Sequence, residues 1–518
     1  MSEGSGVPGE PSAAQDGGAH VAGGGTRRRR RRAGSFGGAL GLTVLGTVVP
    51  GTAYLAAGRR KLGAVTLVVF LLLVAGGVYL ATAGRHTAVK WAVSANSLLW
   101  IIGIVGAVAL AWLVVVATGY RMLAPERTKG WQHAIGALVV LLMAAVVAAP
   151  AVEIGHLASV QRTLITGVFG HHQSATVVDK PNPFAGKDRV NVLLLGGDSG
   201  PGRTGLRTDT VVVASINTNT GDTTLFSLPR NLENLPFPAG SPLAQAYPNG
   251  FTAAKEDEGL LNAVYDNGPA LHPGLVGQSD NPGADWLKLG VGTALGLHID
   301  YYALVNMEAF AKVVDALGGI TVNINYWVPI NGIPDSNVLP DDYFTPGPDQ
   351  HLDGWHALQW ARGRYGLSDY LRMDRQRCAL SAILSAANPT RVLTSYQEIA
   401  STAEATLKTD IPETALQGFV DLGFKAKQSA VRSVVFDQNV ISPAYPDFDK
   451  MRSLVQQTLS GEASPTSAAP AAPSSVAPSG SPNLNGPPAV SDVSNACAYD
   501  PAEANAALAQ GKPPSKAG

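Results

Sequence analysis

Residues 191–200 read NVLLLGGDSG, an aliphatic run that stops at two glycines and an aspartate. A short apolar run bounded by turn residues is the pattern of a strand buried on both faces, which predicts a strand over Val190–Leu195. Gly196 and Gly197, having no Cβ, let a backbone approach a ligand closely. Asp198 then stands at the carboxyl end of a strand, where α/β sheets present their ligands. Taken alone, the same turn also fits a solvated aspartate. Outward from it, further strands are expected at Thr210–Ile216, Thr223–Leu228 and Ile320–Ile324. Helices are expected over about 284–296, 306–317, 353–362 and 369–387. The stretch VVDALGGITVNI (313–324) reads helix, glycine cap, strand, and serves as scaffold. Strands interleaved with helices predict an α/β/α sandwich around a central mixed sheet.

The rest of the chain is of another kind. Of its 518 residues only 15% are charged, against about 25% in ordinary soluble domains. Mean hydropathy is +0.11, and there are 58 glycines and 35 prolines. This composition argues against one soluble globule and for membrane segments with linkers. The net charge of −1 announces no nucleic-acid binder, and two cysteines exclude a disulfide-dense scaffold or a multi-cysteine zinc cluster.

Residues 1–35 form a Gly/Ser-rich, basic N-terminus carrying Arg27–Arg32. Apolar runs at 62–83, 97–119 and 134–152 are long enough to span a bilayer. The weaker run within 36–61, broken by six glycines and Pro50, reads as re-entrant or interfacial. Positive charge marks the cytoplasmic side. With Arg27–Arg32, Arg59–Lys61 and Arg121, Arg127, Lys129 all inside, three spans carry residues 153–518 out of the cell; were 36–58 to span as well, four spans would leave them inside. Residues 153–187 are expected to be a stalk, 188–390 the catalytic domain, 391–460 a helical extension and 461–518 a Pro/Ala/Ser-rich disordered tail.

Four groups of residues suit chemistry on phosphates. Asp209, in LRTDT, precedes the second strand, so two neighbouring strands bring Asp198 and Asp209 together. Two carboxylates beside a diphosphate suit Mg²⁺. Arg207 projects to the same side of the extended chain as Asp209; a local salt bridge is its plain alternative. In SLPR (227–230), Pro229 stops the ladder and Arg230 offers a fork of donors to phosphate oxygens. The stretch WARGRYGLSDYLRMDRQR (360–377) gathers Arg362, Arg364, Arg372, Arg375 and Arg377. On a helix from Ser368, Arg372 and Gln376 share a face, Met373, Leu380 and Leu384 lie on a core face, and Asp369 pins Arg372. No Walker loop, G-x-S-x-G elbow or HExxH is present, and His171–His172 lack metal-ligand spacing.

In their order, NVLLLGGDSG, LRTDT, SLPR, LLNAVYDNG, VVDALGGITV, ARGR and SDYLRMDRQR resemble the LytR-CpsA-Psr family of cell-envelope proteins. The resemblance covers about residues 188–390. It implies a membrane-anchored enzyme with its domain outside the cell and a long apolar pocket for a polyprenyl chain. It implies Mg²⁺-dependent transfer of a glycopolymer from a polyprenyl-diphosphate carrier onto peptidoglycan. Asp198 and Asp209 would bind the metal. Arg207, Arg230, Arg362, Arg364, Arg372 and Gln376 would grip the diphosphate, with Arg230, Asp198 and Arg372 as the catalytic set. The chain departs from the family pattern at Asn231, where Asp is usual, and at Leu260, where Lys is usual; Lys255 stands nearby.

Other readings keep the site but change its use: a lipid-diphosphate hydrolase, or a non-catalytic carrier-binding protein of the envelope. The old label of transcriptional attenuator would need a cytoplasmic domain and a DNA-reading motif, and no helix-turn-helix is evident. Cys378 and Cys497 either pair across the linker or remain two thiols.

Overall fold

The structure is a computed structural model that describes residues 35–125, 129–170, 173–177, 180, 182–198, 205–386, 407–461, 490–493 and 497–517. Arg27–Arg32, His171–His172 and most of the Pro-rich linker lie outside the described residues.

The N-terminal third is helical: α1 (Phe36–Val48), α2 (Thr52–Ala56), α3 (Arg60–Ala81), α4 (Arg85–Ala92), α5 (Ala95–Leu123) and α6 (Gly130–Val168). Proline has no N–H to donate to the preceding turn, and α1 stops just before Pro50; Gly51 then turns the chain at φ +101°. With 13 residues α1 is about 20 Å long, short of the ~30 Å hydrocarbon layer. Among the described residues three helices, α3, α5 and α6, are long and apolar enough to cross a membrane.

The chain packs as two compact units, residues 1–74 with 109–149 and residues 75–108 with 150–518. In the first, Trp112 Nε1 donates to the Thr47 carbonyl at 3.1 Å, satisfying an end-of-helix group of α1, and the Tyr54 and Thr118 hydroxyls bond at 2.5 Å. Such pairing is what backbone and side-chain polar groups need in lipid.

The second unit corrects the expected stalk boundary. α6 does not end at 152 but runs through Pro150 to Val168, because its later turns pack Ala158 and Ile165 against Ala95, Leu98 and Leu416.

Beyond it come β1 (Arg189–Asp198), β2 (Arg207–Asn217), β3 (Thr223–Leu228), α7 (Pro242–Ala246), α8 (Val264–Leu271) and α9 (Pro282–Leu295). They are followed by β4 (Tyr301–Asn306), α10 (Met307–Ala316), β5 (Ile320–Ile324), β6 (Val328–Ile330), β7 (Asp342–Phe344) and β8 (Gly347–Leu352). Next are α11 (Gly354–Arg362), α12 (Asp369–Ala386), β9 (Leu407–Thr409) and α13 (Glu413–Ala426). The last elements are β10 (Val431–Val435), α14 (Phe448–Ser460), β11 (Val490–Asp492) and α15 (Pro501–Gln510).

Seven strands form one mixed sheet in the order β11-β10-β3-β2-β1-β4-β9, with β1/β4 and β3/β10 parallel and the other pairs antiparallel. Alternation along β2 splits the core between two faces. Val211 and Val213 join Leu193, Phe226, Trp286 of α9 and Met451 of α14. Val212 and Ala214 face the other way, with Leu380 of α12 packed against them. Farther along that second face, Val190 and Val192 meet Ala415 and Leu422 of α13. The sheet is thus covered on both sides, as an α/β/α sandwich. The strand expected at Ile320–Ile324 is present but belongs to a separate lobe, paired with β8; β6 and β7 form a third small sheet.

Two further expectations are corrected. Residues 391–460 are not a purely helical extension: β9 forms one edge of the central sheet and β10 lies beside β3, so the domain continues past 390. The tail is not disordered to its end, for β11 pairs antiparallel with β10, and Cys497 is joined to Cys378 of α12 at a Cα separation of 5.7 Å. The bridge docks α15, where Trp327 Nε1 donates to the Ala507 carbonyl at 2.9 Å, while Lys512 and Lys516 reach Asp342 and Asp341.

Candidate active site

The carboxyl end of β1 opens the site. A bulge between Gly196 and Gly197 shifts its register with β2, and a Cβ on Gly196 would stand 2.8 Å from that of Thr210, so the strands approach as only glycine permits. Asp198 pairs in register with Arg207, placing Asp198 and Asp209 at the same end of adjacent strands. The side chain of Asp198 lies outside what the structure describes.

Asp209 is the hub. Its Oδ1 accepts from Arg230 Nη1 and from Asn262 Nδ2, each at 3.1 Å. Burial alone would push its carboxyl up; the Arg230 guanidinium, the Asn262 bond and Arg372 together hold it below the usual carboxylate range. It is therefore ionised at neutral pH. Arg230 Nε lies 3.5 Å from Asp369 Oδ1, and Arg372 Nη2 bonds Asp369 Oδ2 at 3.0 Å. Arg372 also donates to the Asp209 carbonyl at 3.4 Å. The chain of charges runs Asp209, Arg230, Asp369, Arg372. Arg372 is buried, which lowers its pKa against the support of Asp369, yet a guanidinium stays charged. Among the described residues its Nε is buried without a hydrogen-bond partner.

Of these groups Asp209, Arg230, Asn262 and Arg372 line the mouth of a cavity of about 840 Å³, together with Arg207, Arg362, Arg364 and Gln376. Behind the mouth the walls turn apolar, with Leu194, Val305, Phe310, Leu358, Leu380 and Ile383. The volume falls within the range of small-molecule sites. α12 supplies both halves. Arg372, Gln376 and Leu380 recur every fourth residue on one stripe, polar at its start and apolar further on. Met373 is buried and Leu380 packs on Val212 and Ala214 as expected, but Leu380 also shares the stripe of Arg372 and Gln376 and lines the cavity, and Leu384 is exposed, so the expected separate core face is corrected there. The two α11–α12 arginines, Arg362 and Arg364, flank Gly363. A Cβ there would run into the Pro329 carbonyl oxygen, so glycine sets their spacing.

The structure thus brings Asp209, Arg230, Arg362, Arg364, Arg372 and Gln376 to one cavity. Arg207 lines it too, but its guanidinium pairs with Glu258 at 3.0 Å, the local salt bridge that the sequence also allowed. Asp369 does pin Arg372. Arg375 and Arg377 turn elsewhere, into the α11–α12 lobe and onto Ser433 of β10. Asn231 is exposed in the turn after β3, and neither it nor Leu260 or Lys255 lines the cavity. Asn262 was missed by sequence reading. Its signal was a polar residue amid GLLNAVY, since a buried amide needs a partner. Its backbone N–H donates to the Arg230 carbonyl and its side chain to Asp209, so it ties the two together.

The LytR_cpsA_psr family model matches residues 165–453, more than half of the chain. The chain belongs to the LytR_cpsA_psr family. The matched span includes β9, α13 and β10, in agreement with the sheet. Relatives in this family include the polyisoprenyl-teichoic acid–peptidoglycan teichoic acid transferase TagU of Enterococcus faecalis, 30% identical over 286 residues, 53% of this chain and 80% of that one. The TagU of Oceanobacillus iheyensis is 32% identical over 45% of this chain and 62% of its own length. Biofilm regulatory protein A of Streptococcus mutans is 28% identical over 47% of this chain and 53% of its own. The chain therefore spans less than two thirds of the latter two. A crystal structure of B. subtilis TagV overlaps 53% of this chain and 98% of its own at 24% identity, with a TM-score of 0.35; the fold assignment stands on the strand order above.

Proposed function

We propose that this protein is a membrane-anchored phosphotransferase that moves a glycopolymer from a polyprenyl-diphosphate carrier onto peptidoglycan. The observation that carries the reading is the buried, unpartnered Nε of Arg372 within a guanidinium network at the mouth of an apolar cavity. A lipid diphosphate is an anion on an apolar tail, and the site offers cations in front and aliphatic walls behind. The names of the TagU relatives, with their polyisoprenyl-linked donor and peptidoglycan acceptor, support the same chemistry.

In the proposed step an acceptor hydroxyl attacks the phosphorus next to the sugar. The bridging P–O bond breaks, polyprenyl phosphate leaves with the bond's electron pair, and the hydroxyl proton passes to solvent or a nearby base. Arg230 and Arg372 balance the charge that grows on the leaving phosphate, with no covalent protein intermediate. Asp209 and Asp369 hold those two guanidiniums in place. Arg362, Arg364 and Gln376 are the remaining diphosphate donors, and Arg207 guards the rim.

Mg²⁺ is the metal this reading calls for. Among the described residues no three His, Cys, Asp or Glu side chains form a cage. An ionised carboxylate facing a phosphate site fits an ion that takes one or two carboxylates, phosphate oxygens and water. Asp209, with Asp198 from the neighbouring strand, would hold it. When bound, it would neutralise phosphate oxygens.

Three contacts support the membrane orientation of this reading. His86 and Lys90 of α4 lie 2.7 and 2.8 Å from Asp421 of α13, and Glu413 accepts from the Ala95 N–H at 2.8 Å. The α3–α5 connector is therefore on the domain's side. With three spans, the opposite side receives Arg27–Arg32, Arg59–Lys61, Arg121, Arg127 and Lys129, the basic excess of a cytoplasmic face. On this reading the domain works outside the cell.

The test uses the full chain in lipid vesicles with Mg²⁺ and a polyprenyl-diphosphate-linked glycan, with and without a peptidoglycan acceptor. Glycan attached to the acceptor through a phosphodiester is expected, and chelation by EDTA should stop it. Equal cleavage without acceptor would make the protein a hydrolase, and no cleavage at all would leave a carrier-binding protein.

A further inference from the structure

A second concavity of about 440 Å³ lies beyond the loop that follows Arg230. Its floor is aromatic and fixed. The Phe237 and Tyr247 rings pack on each other and on Trp286, with centroids 6.1, 5.4 and 5.9 Å apart. Gly250, at φ +92°, lies against the Asn234 backbone, where any Cβ would collide. The Glu233 N–H donates to the Pro443 carbonyl at 2.9 Å, which ties this loop to the Pro443–Pro446 turn.

The rim carries groups that the fold itself leaves unused. Tyr445 stands between Ala444 and Pro446 with 86% of its surface exposed. The Tyr247 ring is packed into the floor, while its hydroxyl reaches the surface and makes no hydrogen bond among the described residues. The side chains of Asn234 and Asn249 line the concavity as well. Single exposed apolar residues need no explanation. An exposed ring on a proline-braced turn, beside unspent amides and a hydroxyl, is a different matter, because tyrosine gives large contact area at little entropic cost.

Among the described residues no Lys, Arg, Asp or Glu lines this concavity. It therefore suits a neutral ligand with apolar ring faces and many hydroxyl or amide groups, the chemistry of a pyranose chain. A polyphosphate polymer would find no counter-charge there. Asn234 follows Arg230 by four positions, so their Cα atoms are at most about 14 Å apart. A glycan of a few sugars seated here is long enough to reach toward the cavity mouth. We propose that this groove is a subsite for the uncharged glycan strand of the acceptor, with Tyr445 stacking on a sugar face and Asn234, Asn249 and Tyr247 bonding its substituents. The assignment to the acceptor rests on the transfer reaction proposed above.

The experiment is calorimetric titration of the detergent-solubilised full chain with chitotetraose, the β-1,4 tetramer of N-acetylglucosamine. Saturable binding is expected, weakened about tenfold by Tyr445→Ala, which is about 1.4 kcal/mol. Tyr445 is too exposed for this change to threaten the fold. Arg230→Ala should leave tetramer affinity unchanged while removing transfer, and Tyr445→Ala should raise KM for the glycan acceptor about tenfold with kcat kept. No saturable binding by the unaltered protein, or equal affinity in Tyr445→Ala, overturns the subsite. So does loss of tetramer affinity in Arg230→Ala, which would put the sugar in the mouth instead. Transfer surviving in Arg230→Ala would overturn the proposed reaction, and with it the acceptor role.

Discussion

Arg372 and Arg375 stand three residues apart on α12, both buried, and they meet different surroundings. Arg375 is spent on the fold. Its Nε donates to the Trp360 carbonyl at 2.7 Å, Nη1 to the Tyr326 hydroxyl at 2.8 Å and Nη2 to the Gly363 carbonyl, and it stacks over the Tyr326 ring. Arg372 has Asp369 and a long bond to a carbonyl, faces the cavity and, among the described residues, keeps one N–H without a partner. A buried guanidinium whose donors are used up holds structure together. One with donors to spare is built for a ligand, because an unpaired buried polar group costs about 1–3 kcal/mol unless something arrives to meet it.

The first way to break this contrast is to remove a cation on each side of it. Arg372→Ala, like Arg230→Ala, should cut transfer about 10³-fold, about 4 kcal/mol at the barrier, and shift thermal stability little. Arg375→Ala should do the reverse. It strands two carbonyls and a hydroxyl between α11 and α12 and should cost about 3–4 kcal/mol of stability in thermal unfolding, with kcat per folded molecule kept. If Arg375→Ala lost transfer while its melting curve stayed in place, the division of labour would be wrong. Cys378 is the third fixture of α12. Cys497→Ser opens a loop with a sequence separation of 119 residues and should cost about 3 kcal/mol. It should also free α15 to proteolysis, read as loss of the C-terminal fragment.

These fates were unequally legible in the sequence. β3 and β5 have the expected boundaries residue for residue, because dense β-branched and apolar runs end at clear turn residues there. Yet the same pattern says nothing about partners, and β5 left the central sheet for β8. β9 and β11 have three residues each, too short for periodicity to register, and β10 lies between two helices in a stretch that read as helical throughout. These strands exist because distant neighbours accept them. At the site, the arginines were legible because a diphosphate needs cations and the motif order grouped them. Which arginine faces the cavity was not. Arg372, Arg375 and Arg377 share one short stretch, and only the packing of Trp360, Tyr326 and Ser433 shows where two of them are used. Leu380 shows the same limit, since it packs on Val212 and Ala214 and also lines the cavity, and nothing in the sequence says that one stripe serves both.

The smallest test sharpens the structural side of the contrast. Burial holds the Tyr326 hydroxyl above the ordinary tyrosine range, more strongly than Arg375 beside it draws the value down. Tyr326→Phe should cost about 1.5 kcal/mol at pH 7, the worth of one bond from a charged donor. The alkaline limb carries the sign. The unfolded phenol ionises near pH ~10, while the folded one resists until higher pH. Its contribution is therefore whole below the unfolded value and is lost as pH rises through the folded value. Over that window the unaltered protein should lose stability more steeply than Tyr326→Phe by about 1.4 kcal/mol per pH unit. Denaturant titrations at pH 9, 10 and 11 measure this. If the two profiles ran parallel after a constant offset, Tyr326 would be solvated in the native protein. Arg375 would then have lost its aromatic floor, and the clean separation between the arginine that builds and the one that binds would go with it.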